Sequence, residues 1–211
     1  MPQRTNLVAL SEIAEIRSGF TFREKVEEVS AEEGNAHVAQ IKDVRAVYES
    51  TNSSVLKASQ LPCINWEGKD KAFAETEVVL LPARGARGGY FRASILSDDP
   101  DAQYPVVVSS QFLIIKPNKN VLPAFLCWAL NLNSIQHALS DGAASQGTSI
   151  VMLSAKIASE LKLEIPSIDI QQKILYLNEL WEHEQRLTHA LLKNREQMMQ
   201  GMFNQLLKDA N

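Results

Sequence analysis

Apolar residues recur at helical spacing through the last fifth of the chain. Ile170, Ile174, Leu177 and Trp181 form one stripe, and Leu180, Leu187, Leu191, Met198 and Met202 continue it with a shift. Leu192, Met199, Phe203 and Leu206 widen the stripe near its end. No proline interrupts residues 170–208, and Gly201 is the one glycine there. The pattern predicts a helix of roughly 57 Å at about 1.5 Å per residue. Just ahead of it, Leu163 and Ile165 have strand character, and Pro166 holds Ile165 extended and stops any earlier helix. Asp169 with Gln172 three residues later has the form of a capping box. The chain is therefore expected to divide into a body, residues 1–165, and a helical arm, residues 166–211. An arm of that length needs a partner along its apolar face, either a second molecule or its own body.

The body alternates in shorter units. Residues 10–18 place Leu10, Ile13, Ala14 and Ile16 on one face between Ser11 as N-cap and Gly19 as C-cap, predicting a short amphipathic helix. Residues 36–41, 44–48, 77–81, 90–96, 106–108 and 112–115 are rich in β-branched and aromatic residues and predict strands, most of them in one irregular, mainly antiparallel sheet. Pro123 at the first helical position precedes Phe125, Trp128, Leu132, Ile135 and Leu139, which predict one helix over 124–139. Ser154 caps a shorter helix running to Leu161. Residues 97–104, with Asp98, Asp99 and Asp101, read as an exposed loop. The expected class is α+β: a mixed or antiparallel β-rich body with flanking helices, followed by a long C-terminal helix of coiled-coil type.

With 45% hydrophobic and 22% charged residues among 211, the chain can bury one good core. No run of 18 apolar residues and no basic-then-apolar amino terminus occurs, which predicts a cytoplasmic protein without a membrane span. Cys63 and Cys127 lack metal-ligand spacing and are expected as buried or partly exposed structural thiols of a reducing compartment. The net charge of −4 speaks against a nucleic-acid binder that acts alone. It leaves room for one whose basic residues cluster or whose partners supply phosphate contacts.

Catalytic patterns fail one by one. His183-Glu184 opens a zinc-protease motif that needs a second histidine at position 187, where Leu187 stands. His37 and His137 lack nearby ligand partners. The acidic run at Asp98 has no lysine at the spacing a metal-dependent nuclease needs. Residues 83–89 are glycine-rich but lack the Lys-Ser/Thr that completes a phosphate loop. The expectation is a chain without metal or chemistry of its own.

Two segments have binding character. Residues 82–92 carry Arg84, Arg87, Tyr90 and Arg92 among glycines that permit sharp turns and close approach. Arginine offers paired donors to guanine edges or phosphates, as a DNA-reading loop requires. A glycine-rich hairpin with solvated arginines remains the alternative reading of these residues. Residues 142–149 offer Gln146, Thr148 and Ser149 to base edges or phosphates, or serve as a connector. Arg17, Arg23 and Lys42 are further candidate phosphate contacts.

The order of these pieces resembles a known family. The run Leu10-Ser-Glu-Ile-Ala-Glu-Ile-Arg-Ser-Gly19, a strand followed by Arg-Gly-x-x-Gly, Gly147-Thr148 before a short helix, and Ile165-Pro166 with Gln171-Gln-Lys-Ile174 before a long helix are similar to the specificity (S) subunit of type I restriction-modification systems. The resemblance covers essentially the whole chain. Family members usually carry two target-recognition domains and two helical arms, so this chain resembles a half-size form; whether it is natural or part of a longer product stays open. The resemblance implies a homodimer paired antiparallel through the arms at Leu177, Trp181, Leu187, Leu191, Met198 and Met202. It implies a bipartite, symmetric double-stranded DNA target, with paired arms of roughly 50 Å spacing the halves by about 15 base pairs. It also implies methylation subunits that bind S-adenosylmethionine and flip out the target adenine, and a restriction subunit that uses ATP and Mg²⁺. A helical interaction module that binds no DNA, and a nuclease or hydrolase with a dispersed site, are the rival readings.

Overall fold

The computed structural model describes residues 7–86, 91–142, 144, 145 and 150–209. Two compact units divide the chain, Met1–Gln171 and Gln172–Asn211. In chain order the first unit holds β1 (Leu7–Ala9), α1 (Leu10–Ile13), β2 (Ala14–Ser18), β3 (Ala36–Ala39), α2 (Ile41–Thr51), β4 (Val55–Leu56), β5 (Cys63–Ile64), β6 (Phe73–Ala74), β7 (Val78–Pro82) and β8 (Arg84–Ala86). It continues with β9 (Ser94–Leu96), β10 (Val106–Val108), β11 (Phe112–Pro117), α3 (Pro123–Leu130), α4 (Asn133–Gly142), β12 (Ala144–Ser145), β13 (Ile150–Met152), α5 (Ala155–Glu160) and β14 (Lys162–Glu164). Helix α6 (Ile168–Asp209) begins in this unit and makes up the second.

The class is the α+β arrangement expected, but the strands form four sheets rather than one. A five-stranded sheet has the order β2-β11-β7-β9-β4 and a four-stranded sheet the order β5-β3-β10-β6. Strands β12-β13-β8 form a third sheet, and β1 pairs with β14 in the fourth. Most pairs are antiparallel; β3 with β10 and β4 with β9 are parallel. One apolar core lies between the two larger sheets and α2, built from Val44, Val47, Leu80, Val108, Phe112 and Ile114 among others. Helix α3 packs against β7, β9 and β11.

Three local expectations give way to tertiary context. The helix expected over 10–18 closes after one turn, and Ala14–Ser18 instead pairs along β11 from Ala14 opposite Pro117 to Ser18 opposite Leu113. The open edge of β11 offers that backbone a full ladder, and Asn118 N–H takes the Ile13 carbonyl at 2.8 Å. Gly19 is thus no helix cap. A Cβ there would lie 2.2 Å from the Ser109 carbonyl oxygen, so glycine is required for close approach of the chain.

Residues 44–48, read as a strand for their valines and tyrosine, lie within α2. Ile41, Val44 and Val47 recur every three residues and turn one face to the core. Asp43 accepts the Gln40 N–H at 3.2 Å and starts the helix, and Asn52 ends it in the left-handed region (φ 52°) that asparagine tolerates.

The single helix expected over 124–139 breaks between α3 and α4 at Asn131, whose side chain binds the backbone just ahead of β9. Its Oδ1 accepts from Ala93 N–H and its Nδ2 donates to the Ala93 carbonyl, both at 2.9 Å. Gln136 extends the same device. It is 3% exposed, accepts the Phe91 N–H at 2.6 Å, and donates to the carbonyls of Phe91 at 3.0 Å and Leu130 at 2.6 Å. Residues 91–93 are therefore held in place by side chains of the α3–α4 junction. The shorter predicted helix does form as α5, with the Ser154 hydroxyl accepting from Ile157 N–H at 3.2 Å. Cys63 and Cys127 are both buried thiols.

Asp99 departs from the exposed-loop reading, because its carboxylate is buried against backbone donors: Ser59 N–H at 2.8 Å and Asp101 N–H at 3.2 Å. Helix α6 starts at Ile168, one residue ahead of Asp169, so Asp169 lies in the first turn, where its charge meets the helix dipole, rather than at the cap. Gln171, known from sequence as part of a motif, is fully buried. Its Oε1 accepts from Leu122 N–H, and its Nε2 donates to the carbonyls of Asn120 and Pro166, each at 2.9 Å.

Two measurements check these anchors. Gln136→Leu orphans Phe91 N–H and two buried carbonyls, and urea unfolding should show a loss of at least about 2 kcal/mol; a loss under about 0.5 kcal/mol contradicts the role given to the carboxamide. Hydrogen bonds from Ser59, foremost, and Asp101 hold the Asp99 carboxyl below its ordinary value. Its contribution is therefore present above the usual carboxylate range and disappears as pH falls through the lowered value. The stability difference between wild type and Asp99→Asn should accordingly shrink between about pH 6 and about pH 3; a difference constant over that range contradicts the assignment.

Candidate nucleic-acid interface

Arg84 and Arg92 line one cavity of about 500 Å³ together with Arg45, Tyr48 and Glu49 of α2, while Ile41, Val44, Pro82 and Phe112 form its apolar floor. Each wall has a physical origin. Strand β8 carries Arg84 beyond the end of β7. Its next residue, Gly85, admits the Phe91 ring, which would stand 3.1 Å from a Cβ at that position. Phe91 is fully buried and its backbone is clamped by Gln136, so Arg92 leaves a fixed point. The Arg92 guanidinium then lies 4.2 Å from the centre of the Tyr48 ring, a cation–π contact that orients both groups. On the helical wall, Arg45, Tyr48 and Glu49 are spaced i, i+3 and i+4 and flank the buried stripe of Val44 and Val47, with Arg45 and Glu49 exposed and Tyr48 half-buried at its edge.

The third sheet connects the two segments singled out from sequence. Ala86 pairs with Ile150 and Gly85 with Val151, while Val151 also pairs with Ser145. The described residues bordering 87–90 and 146–149 are therefore neighbours in one sheet. Arg87, Tyr90, Gln146, Thr148 and Ser149 themselves lie outside the described residues.

A second cavity of about 490 Å³ is lined by Arg17, Lys69 and Lys71 with Gly19 and Phe20. Arg17 donates to the Phe73 carbonyl at 3.0 Å. In the sheet register Arg17 is opposite Ile114, which is opposite Leu80, and Phe112 is opposite Pro82. Opposed residues share a face and alternate along each strand. Arg17, Phe112 and Pro82 thus stand on one face of the five-stranded sheet, and basic side chains line both cavities there.

Arg23 and Lys42 are not among the residues lining either cavity. Arg23 is exposed in the segment after β2. Lys42 pairs with Glu28 and with Asp43, the latter at 3.2 Å, and the Glu28 carboxylate above all raises the Lys42 ammonium from its usual value. Its charge is already engaged. Arg45, Tyr48, Glu49, Lys69 and Lys71 escaped the sequence reading. For the first three the signal was present as helical spacing, hidden by reading 44–48 as a strand. Among the described residues, no group of three or more His, Cys, Asp or Glu is placed to hold a metal ion, and no helix is long and apolar enough to cross a membrane.

Helix α6 carries its apolar residues in the open. Leu177 is 64% exposed, Trp181 59%, Leu187 59%, Leu191 51%, Met198 59% and Met202 52%. Polar pairing on the helix is sparse: Asn178 donates to Glu182 at 2.9 Å, and Glu182 lies 4.0 Å from Arg186.

Comparison with known proteins places this architecture. The Type I restriction enzyme HindI specificity subunit of Haemophilus influenzae is 29% identical over 140 residues, which cover 66% of this chain and 29% of that subunit. The HsdS subunit of Thermoanaerobacter tengcongensis superposes with a TM-score of 0.59 at 14% identity, over 90% of this chain and 40% of that one. A chain of a type I R-M system, solved to explain complex assembly and conformational transition, superposes with a TM-score of 0.60 at 14% identity, over 90% of this chain and 41% of its own. These superpositions show a shared fold, and this chain spans well under half the length of each of these relatives. Residues 2–177 match the family described as Type I restriction modification DNA specificity domain. By that match over most of its length, the chain belongs to the type I restriction-modification DNA specificity family.

Proposed function

We propose that this chain is the sequence-reading subunit of a type I restriction-modification complex and that the cavity between α2 and β8 is its DNA-contacting surface. The observation that carries the reading is the convergence of Arg45 and Tyr48 from α2 with Arg84 and Arg92 around one cavity. Three guanidinium groups favour a polyanion, and fixed arginines can fork to guanine O6 and N7. Arg17, Lys69 and Lys71 around the second cavity supply phosphate contacts, which position the duplex without reading it. Arg87, Tyr90, Gln146, Thr148 and Ser149 are assigned to this reader on their side-chain chemistry alone, and Arg23 and Lys42 contribute at most long-range charge.

In this reading the chain does no chemistry. Methylation subunits modify the adenine and a restriction subunit cuts, while this chain supplies the address. The arm pairs with the arm of a second copy in antiparallel fashion, because a row of leucines, methionines and a tryptophan at half exposure or more is too apolar to remain in water. Two identical readers set at a fixed separation recognise an inverted, bipartite target.

Two experiments test the reading. With methylation subunits present, Arg84→Ala and Arg92→Ala should each weaken binding to the cognate duplex by about 1–3 kcal/mol at fixed salt, with the fold retained by circular dichroism. Unchanged affinity for both variants moves the reading surface elsewhere. Leu187→Glu with Leu191→Glu should convert a dimer to a monomer by light scattering, since facing carboxylates replace apolar contacts; a dimer that persists removes the arm from the interface.

A further inference from the structure

We propose that Glu49 reads a cytosine in the target half-site, its carboxylate accepting a hydrogen bond from the cytosine N4 amine in the major groove. The inference rests on the DNA-reading role proposed above and assigns one base to one side chain.

Glu49 is the one carboxylate among the described residues lining the cavity, where Arg45, Arg84 and Arg92 are the charged company. It is exposed, so nothing in the core requires it. Among the described residues no ion pair within 4.0 Å engages it. Arg45, four residues earlier on the same face, precedes it in the weaker of the two helical orders for an opposite-charge pair. Arg92 is committed to the Tyr48 ring at 4.2 Å. A free carboxylate on a surface built for phosphate opposes binding through its charge. It becomes favourable where it meets a donor, and within the duplex the major-groove donors are the amines of cytosine and adenine. Adenine sets its N7 acceptor beside N6, and that lone pair repels the second carboxylate oxygen. Cytosine has no acceptor beside N4, so a carboxylate selects it. The exposed face of α2 has the shape required, because a helix fits the major groove and residues at i, i+3 and i+4 reach adjacent base pairs.

The test is selection from a duplex library randomised across the target, using the full chain with its methylation subunits at fixed salt, followed by sequencing. Wild type should select a motif containing a cytosine whose preference Glu49→Ala reduces about tenfold or more, all other positions being unchanged. Glu49→Gln should shift the same position toward adenine, since a carboxamide pairs with N6 and N7 together. A motif unaltered by Glu49→Ala, with affinity for every duplex raised equally, identifies a solvated charge and overturns this inference alone. A position that changes but is adenine in the wild-type motif overturns it as well. A wild-type complex that selects no motif overturns the DNA-reading role and this assignment with it. Thermal melting of both variants should match wild type, because the side chain is exposed.

Discussion

Buried backbone that belongs to no ladder must still find hydrogen-bond partners, and in this protein two glutamine carboxamides meet that demand. Gln136 satisfies the backbone of Phe91 and Leu130; Gln171 satisfies that of Asn120, Leu122 and Pro166. An orphaned buried amide or carbonyl costs about 1–3 kcal/mol, so each side chain carries a stake comparable to a large part of a domain's net stability. The geometry of the rest follows. Gln136 and Asn131 anchor residues 91–93 and so aim Arg92, while Gln171 fastens the first turn of α6 to the segment before α3. Neither role is replaceable by an apolar residue of similar size, since the partner groups would remain buried and unpaired.

Electrostatics in the arginine-lined cavity depends on that rigidity. Arg92 stacked on Tyr48 has lost part of its rotamer freedom before any ligand arrives, which lowers the ordering cost of binding. Lys42 shows the opposite case: pairing with Glu28 and Asp43 consumes a charge that its sequence position alone offered to phosphate. A protein of net charge −4 can thus present a basic surface, because where cations cluster matters more than the total.

Much of the architecture was legible in the residues. The long helix, the capped helix after Ser154, the strands at 106–108 and 112–115 and the family resemblance all follow from periodicity, caps and motif order. Those signals are local. The misread elements are those in which a local preference met a stronger distant partner. Residues 14–18 have helical periodicity, yet β11 offered a ladder of five residue pairs from Ala14 to Ser18. Residues 44–48 have β-branched composition, yet the core between two sheets needed a helix face bearing Val44 and Val47. Residues 124–139 have an unbroken stripe, yet Asn131 left the helix to pair with Ala93.

The sequence by itself determined the long C-terminal helix, its apolar stripe and the segments rich in arginine and glycine, because spacing and side-chain type act over a few residues. Only the tertiary structure decided which charges meet. Arg45, Tyr48 and Glu49 come to face Arg84 and Arg92 because α2 packs across the sheet carrying β7 and β11, and no pairing rule between residues some forty positions apart is written in the local pattern. The carboxamide clamps belong to the same class: a buried glutamine looks like any other glutamine until the backbone it must satisfy has folded around it.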